Sequence, residues 1–454
     1  MNNTKMTSKE LKAIWGLGAV FTLRMMGMFI VLPILSNYGR ELKNANELLL
    51  GLTIGIYGIS QAIFQIPFGL MSDRFGRKKL IISGLLIFIF GSVIAAITNS
   101  IWGIIIGRAL QGAGAISSVI IALISDLTSE QNRTKAMVFI GISFGITFAI
   151  SIVLGPIITY IIGLHGLFWG IGLLAFGSVL IMIFIVPDSQ CHIINYKTHF
   201  MKNNVKKIIN NRQLLKFNFD ILCLHTLLMA NFVVLPLVII DSGLQDKQHW
   251  KVYLSTLFIS FIMVLPFIIY AEKKYRIKEI FLLFIGILFI SELFFCFSNN
   301  HFFLIVIGLQ LFFISFSVME TLLPSLISKE APIRYKGTTM ALYSISQFLG
   351  VALGGILGGL FFQLNGSFLV FIANLILCIC WFFINLNMYH PSYIKNIRLI
   401  LPKEIKDFNL LQIQLMNEPG VREVMFDLKT FIVYIKIDKK ITNQKQLENI
   451  INNQ

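Results

Sequence analysis

The feature that most constrains this chain is a series of twelve apolar stretches separated by short polar connections. They run approximately over residues 13–36, 49–70, 79–97, 101–124, 136–162, 166–187, 216–240, 251–271, 279–297, 301–327, 337–362 and 367–388. A helix of about 20 apolar residues crosses the roughly 30 Å hydrocarbon core of a bilayer with its backbone hydrogen bonds satisfied internally. The expected fold class is therefore an all-α polytopic membrane protein with twelve transmembrane helices. Composition agrees, since only 13% of the 454 residues are charged, about half the fraction usual in soluble domains. A soluble multidomain protein and a disordered chain are excluded on that ground. The five cysteines, Cys191, Cys223, Cys296, Cys378 and Cys380, lack paired spacing and read as reduced packing residues.

The net charge of +16 is scattered in short clusters rather than gathered in one stripe, which argues against nucleic acid as a partner. Lys and Arg crowd alternate connections: Lys5, Lys9 and Lys12; Arg74 to Lys79; Arg133 and Lys135; the segment 197–216; Lys273 to Lys278; and Lys329 to Lys336. The other side holds Arg40, Lys43, Lys247 and Lys251. By the positive-inside rule both termini are expected in the cytoplasm. Trp15, Trp102, Trp169 and Trp250 stand near stretch starts, where amphipathic rings favour the headgroup level. The first stretch carries Arg24 and lacks a small-residue cleavage site, so it is expected to remain as a helix.

Four regions follow: a six-helix bundle over 1–190, a cytoplasmic linker over 191–215, a second six-helix bundle over 216–390, and a polar tail over 391–454. The tail patterns as strand (397–401), helix (409–416), two strands forming a hairpin (421–426 and 431–437) and helix (443–451). This βαββα order resembles small ferredoxin-like modules of the heavy-metal-associated type. The tail contains no Cys or His, which rules out thiolate or imidazole metal capture there. A regulatory or docking role toward a cytoplasmic ligand or protein partner is expected, with an inert cap as the alternative.

The connection between the second and third stretches reads Gly69-Leu70-Met71-Ser72-Asp73-Arg74-Phe75-Gly76-Arg77-Lys78. Its glycines permit a tight turn, and its bases are placed to pair with carboxylates. Glu272-Lys273-Lys274 repeats the acid-then-base order between the eighth and ninth stretches. The segment resembles motif A of the major facilitator superfamily, matched at Gly69, Asp73, Arg74, Gly76, Arg77 and Lys78. In the fourth stretch, Arg108-Ala109-Leu110-Gln111-Gly112 resembles motif B of that superfamily. In the fifth, Gly145, Gly155 and Pro156 partly resemble motif C of its drug/proton antiporter branch, with Ser151 where a glycine is expected.

That resemblance implies a secondary transporter of the bacterial inner membrane, with two bundles rocking about a midplane cavity lined by the first, fourth, seventh and tenth helices. It also implies that Asp73 approaches the start of the eleventh helix near Gly337 when the cytoplasmic side is shut, with Arg77 and Asp126 completing a charged gate. A proton-coupled exporter needs a protonatable group in the cavity. Glu320, set among Phe316, Val318, Met319, Thr321, Leu322 and Leu323, is the leading candidate, because an ionisable group at membrane depth is costly and marks a functional position. Arg24 and Arg108 are candidates on the same ground; Asp220 and His225 follow, while Glu292 is expected near the outer surface. Tyr57, Gln61, Gln65, Asn231, Gln310, Tyr343 and Gln347 are the expected polar and aromatic lining, suited to an amphipathic or cationic solute.

Membrane lipid, protons and a small-molecule substrate are thus the expected partners, with no cofactor and no metal. Facilitated uptake of a metabolite and a membrane sensor signalling through the tail are the alternatives. An enzyme is not expected, since the chain has no Gly-Xaa-Ser-Xaa-Gly elbow, P-loop or HExxH.

Overall fold

The computed structural model describes residues 6–452 except 129, 189–207, 209, 246–247, 275, 300, 333–335, 389–393, 402–407, 428–431 and 439–440. Among the described residues, ten helical segments are long and apolar enough to cross a membrane. Two of them, Lys135–Phe184 and Gly337–Leu386, hold 50 residues each. At 1.5 Å per residue such a length is about 75 Å, more than twice the hydrocarbon thickness. Each has a non-helical break near its middle, at Gly163 and at Asn365 and Gly366.

Local sequence sets the helix boundaries. Helix α1 (Ser8–Phe29) starts at a capping box: Thr7 accepts from the Glu10 amide at 3.2 Å, and the Glu10 carboxylate accepts the Thr7 amide at 2.8 Å. Pro33, in the first turn of α2 (Leu32–Tyr38), follows a short break that divides the first apolar stretch. Asn46 caps α3 (Glu47–Phe75). Gly76, at φ 92°, joins α3 to α4 (Arg77–Ile97), a backbone conformation that disfavours any side chain. The fourth stretch is also split, into α5 (Ile101–Ala113) and α6 (Ser117–Leu127), and α7 (Glu130–Phe184) completes the first set.

The second set comprises α8 (Arg212–Asp241), α9 (His249–Lys273), α10 (Ile277–Cys296), α11 (Phe302–Glu330) and α12 (Lys336–Leu386). Prolines 67, 156, 236, 266 and 324 lie inside helices, as is tolerated where neighbouring helices satisfy the freed groups. Cys223, Cys296, Cys378 and Cys380 are free thiols; Cys191 lies outside the described residues.

The two sets meet along a seam at one end, here called the far end, opposite the Gly76 turn. There Gly51 and Gly55 of α3 pack against the backbone of α12: a Cβ added to Gly51 would stand 2.7 Å from the Gly359 Cα, and one added to Gly355 would stand 2.7 Å from both the Gly51 oxygen and the Gly55 nitrogen. The Leu48 amide donates to Gln363 at 3.2 Å, Ser36 Oγ donates to the Phe232 carbonyl at 2.9 Å, and the Arg40 guanidinium lies 5.7 Å from the Phe362 ring centroid. The seam runs inward to Gly58, where an added Cβ would stand 2.8 Å from the Ala352 nitrogen; at the near end Gly337 is exposed and a Cβ there would meet no atom within 4 Å.

The tail forms its own unit. Strands β1 (Ile394–Ile400), β2 (Val421–Asp427) and β3 (Ile432–Asp438) make an antiparallel sheet in the order β1-β3-β2, with helices α13 (Phe408–Asn417) and α14 (Gln444–Asn452). Ile397, Leu399, Leu411, Leu415, Val424, Val433, Ile435 and Leu447 form a core separate from that of the helical body. The expected element order is the observed one, with boundaries moved by a few residues.

Candidate functional site

Glu320 lies in the middle of α11 with its side chain 19% exposed. Gln347 of α12 donates one amide hydrogen bond to Glu320 Oε1 at 3.3 Å and another to His225 Nε2 of α8 at 2.9 Å. His225 Nδ1 donates to its own helix, at the Ile221 carbonyl 3.3 Å away, which leaves Nε2 as the acceptor in the neutral ring. His225 Nε2 stands 3.9 Å from Glu320 Oε2, and that oxygen has no hydrogen-bond partner. Three candidates from three separate apolar stretches are therefore one cluster with room for one further proton. Tyr343 is also buried, with an unpartnered hydroxyl.

The arginines of the first set are buried. Arg24 donates to Ser117 Oγ at 2.9 Å, Gln61 Oε1 at 2.5 Å and the Gly114 carbonyl at 3.0 Å. Its guanidinium thus fills the break between α5 and α6, where Gly114 no longer has a helical partner for its oxygen. Gln61 donates onward to Gln65 at 3.4 Å. Arg108 donates to Gln111 at 2.9 Å and stacks over the Tyr57 ring at 4.6 Å. Gln111 continues to Ser92 at 2.9 Å, tying α5 to α4. These groups knit one helix set together rather than opening onto a cavity.

Three other candidates are committed to packing within the second set. Asp220 is buried; its Oδ1 accepts Trp381 Nε1 at 2.8 Å and Asn385 Nδ2 at 2.7 Å, both from α12, while its Oδ2, like Glu320 Oε2, has no hydrogen-bond partner. Gln310 donates to the Thr256 carbonyl at 3.2 Å and Ser260 Oγ at 3.0 Å on α9. Asn231 donates at 2.6 Å to Glu292, which Asn374 also reaches at 3.2 Å. Glu292 is fully buried in this cluster, near the Cys296 end of α10. The angular position of Glu292 on α10 aims it between α8 and α12.

At the near end, Arg77 pairs with Asp126 at 2.6 Å and also donates to the Ala122 carbonyl, so α4 is held to α6. Lys78 donates to the Val186 carbonyl at 2.8 Å and pairs with Asp188 at 3.0 Å. Arg74 is exposed, and the Gly69 carbonyl accepts Ser72 Oγ at 2.6 Å. The Asp73 side chain lies outside the described residues. A Cβ on Gly337 would meet no atom within 4 Å, and the expected approach of Asp73 to this glycine falls on a side chain outside the described residues.

In α7 a Cβ on Gly155 would stand 2.6 Å from the Ile30 carbonyl, the close approach that packs α7 on the break in the first stretch. Pro156 follows inside the helix, Ser151 Oγ bonds the Thr147 carbonyl at 2.7 Å, and Gly145 lies by Phe261 of α9. Among the described residues no group of three His, Cys, Asp or Glu side chains is arranged to hold a metal ion.

Sequence reasoning missed the aromatic packing between the sets. Phe148 of α7 lies 5.6 Å from Phe316, 6.4 Å from Phe313 and 6.4 Å from Phe232, all in the second set. With 41 phenylalanines in the chain, no local signal distinguishes this one.

Two connected helix sets, a motif A turn at one end and a polar cluster between helices define a major facilitator superfamily transporter, and the chain belongs to that superfamily: its family model matches residues 17–347 and 221–404. Residues 397–453 match the YajR YAM domain. The chain is 51% identical over 454 residues to the inner membrane transport protein YajR of Escherichia coli, covering 99% of each. A shorter match, 32% identical over 139 residues, covers 30% of this chain and 34% of the class B tetracycline resistance protein of Escherichia coli. Among solved structures, a D-xylose-proton symporter superposes with a TM-score of 0.67 at 14% identity, covering 84% of this chain and 98% of that one. The protein is thus a multi-pass inner-membrane transporter and not an enzyme.

Proposed function

We propose that this transporter is a proton-coupled exporter of a small amphipathic or cationic solute, working by rocking of its two helix sets. The observation that carries this reading is the Glu320, Gln347 and His225 cluster, in which one carboxylate oxygen lacks a partner. A proton and a cationic solute would compete for that carboxylate, which is the minimum requirement for exchange. Moving one charge through 100 mV is worth about 2.3 kcal/mol, roughly a fifty-fold bias on the rocking equilibrium. The partial likeness to a tetracycline resistance protein supports the export direction.

In this reading the two 50-residue segments each cross twice, making twelve crossings divided 1–190 and 216–390 about the linker 191–215. The near end, rich in Lys and Arg, is cytoplasmic, as are both termini. Asp73, Arg77 and Asp126 form the gate that shuts that side.

The test is proton flux in proteoliposomes holding a pH gradient, with a panel of organic cations and small metabolites, comparing the natural chain with Glu320→Gln. Solute-triggered proton movement that the variant loses is the expected result. Solute movement without protons in both proteins would replace this reading with uniport.

A second reading has its own support. Lys436 of β3 donates to the Glu330 and Ala331 carbonyls at 2.8 and 3.1 Å, so the tail module, of ferredoxin-like type in this reading, caps the helix that carries Glu320. A cytoplasmic ligand or protein bound by residues 391–454 would then sense or set the position of α11.

A further inference from the structure

Phe148 sits where the two helix sets touch, and every ring-to-ring contact between the sets among the described residues runs through it. Its partners in the first set are Phe29, 5.1 Å away and edge-on, and through Phe29 the ring of Phe144 at 5.3 Å. On the opposite side, Phe316 stacks on Phe312 at 6.2 Å and meets the His225 ring at 5.8 Å. All of these rings but the half-buried Phe144 are buried.

The position of this group along the helices matters more than its size. Helix α11 runs from the far end at Phe302 to the near end at Glu330. Phe313, Phe316 and Glu320, spaced three and four apart, share one of its faces, with the two rings on the far side of the carboxylate. The Ser36 to Phe232 bond and the α3–α12 seam lie at the far end too. At the near end Gly337 is exposed. Glu320 therefore stands on the near side of a layer of rings whose contact across the sets depends on Phe148.

We infer that Phe148 is the far-side seal of the Glu320 site: its ring closes the path from the far face to the carboxylate and withdraws with the first helix set when the transporter rocks. Apolar constrictions of this kind exclude water, and with it protons, without any charged gate. The inference rests on Glu320 being the proton-carrying group. It adds what keeps that group from communicating with both sides at once.

The test uses the full-length protein in proteoliposomes and reads passive proton leak down an imposed pH gradient with no solute added. Phe148→Ala is expected to raise the leak above that of the natural chain, and Phe148→Leu, which keeps apolar bulk, to restore most of the barrier. Phe316→Ala, which removes the facing ring, is expected to leak likewise. Phe267→Ala removes a ring paired with Phe284 at 5.0 Å inside the second set and serves as the packing control. A natural level of leak in folded, monodisperse Phe148→Ala and Phe316→Ala overturns the proposal, as does an equal leak in Phe267→Ala. Because no solute is present, a failed seal leaves the coupling result untouched, while loss of coupling in Glu320→Gln with normal sealing is read separately.

Discussion

His225 Nε2 and Glu320 Oε2 face each other at 3.9 Å across the α8–α11 boundary, held in register by a Gln347 amide that donates to both side chains. The amide has two hydrogens and each is used, so the cluster is balanced for a neutral imidazole. A proton placed on His225 Nε2 would expel the Gln347 bond and put a charged ring against the carboxylate.

Gln347→Leu removes both bonds while leaving the acid and the imidazole in place. Two hydrogen bonds of about 0.5–1.5 kcal/mol each are lost, so transport is expected to fall about tenfold or more, with a displaced pH profile. Initial rates measured across pH 5.5 to 8.5 check this; an unchanged profile would remove Gln347 from the coupling apparatus.

Gly355→Val places a branched side chain where the Gly51 oxygen and Gly55 nitrogen lie 2.7 Å from a Cβ. Both obstacles are backbone, so neither can turn aside. The far-end seam is expected to stay open, which reactivity of a Ser36→Cys thiol toward an impermeant reagent reports as a gain.

Asp220→Ala strands the Trp381 and Asn385 donors, both buried beside α8. Leaving buried donors unmet costs about 1–3 kcal/mol. The variant is expected to lose thermal stability in detergent, whereas Asp220→Asn, which keeps an acceptor oxygen, should lose less.

Asp73→Asn is expected to slow transport and shift the balance between conformations, since the proposed near-side closure relies on its charge. Arg77→Gln breaks a partly exposed pair with Asp126, worth about 0.2–1 kcal/mol in stability. Spectroscopic distances between labels on α3 and α12 would follow both variants; populations unchanged by Asp73→Asn would discard the gate.

Lys436→Met removes the cap on the last carbonyls of α11. Hydrogen exchange at residues 326–331 is expected to quicken while the β1–β3 core keeps its protection. Equal protection in both proteins would leave the tail module without a hold on α11.

Much of this molecule is legible along the chain because membrane helices advertise themselves: Leu80 to Ile97 can do little but cross lipid, and Val421, Val433 and Ile435 alternate as strand residues must. The motif A turn is equally local, for Gly76 needs its positive φ whatever surrounds it. The grouping of His225, Glu320 and Gln347 is different in kind. Their chemistry marks each as costly in lipid, but only helix rotation decides which costly group meets which. That rotation set Glu292 against Asn231 and Asn374, Asp220 against Trp381 and Asn385, and Glu320 against Gln347 and His225. The sequence by itself therefore determined the spans, the tail module and the list of expensive side chains. Which of them meet, and which phenylalanine joins the two helix sets, was decided by tertiary structure, because burial and pairing depend on angular position about helices far apart in the chain.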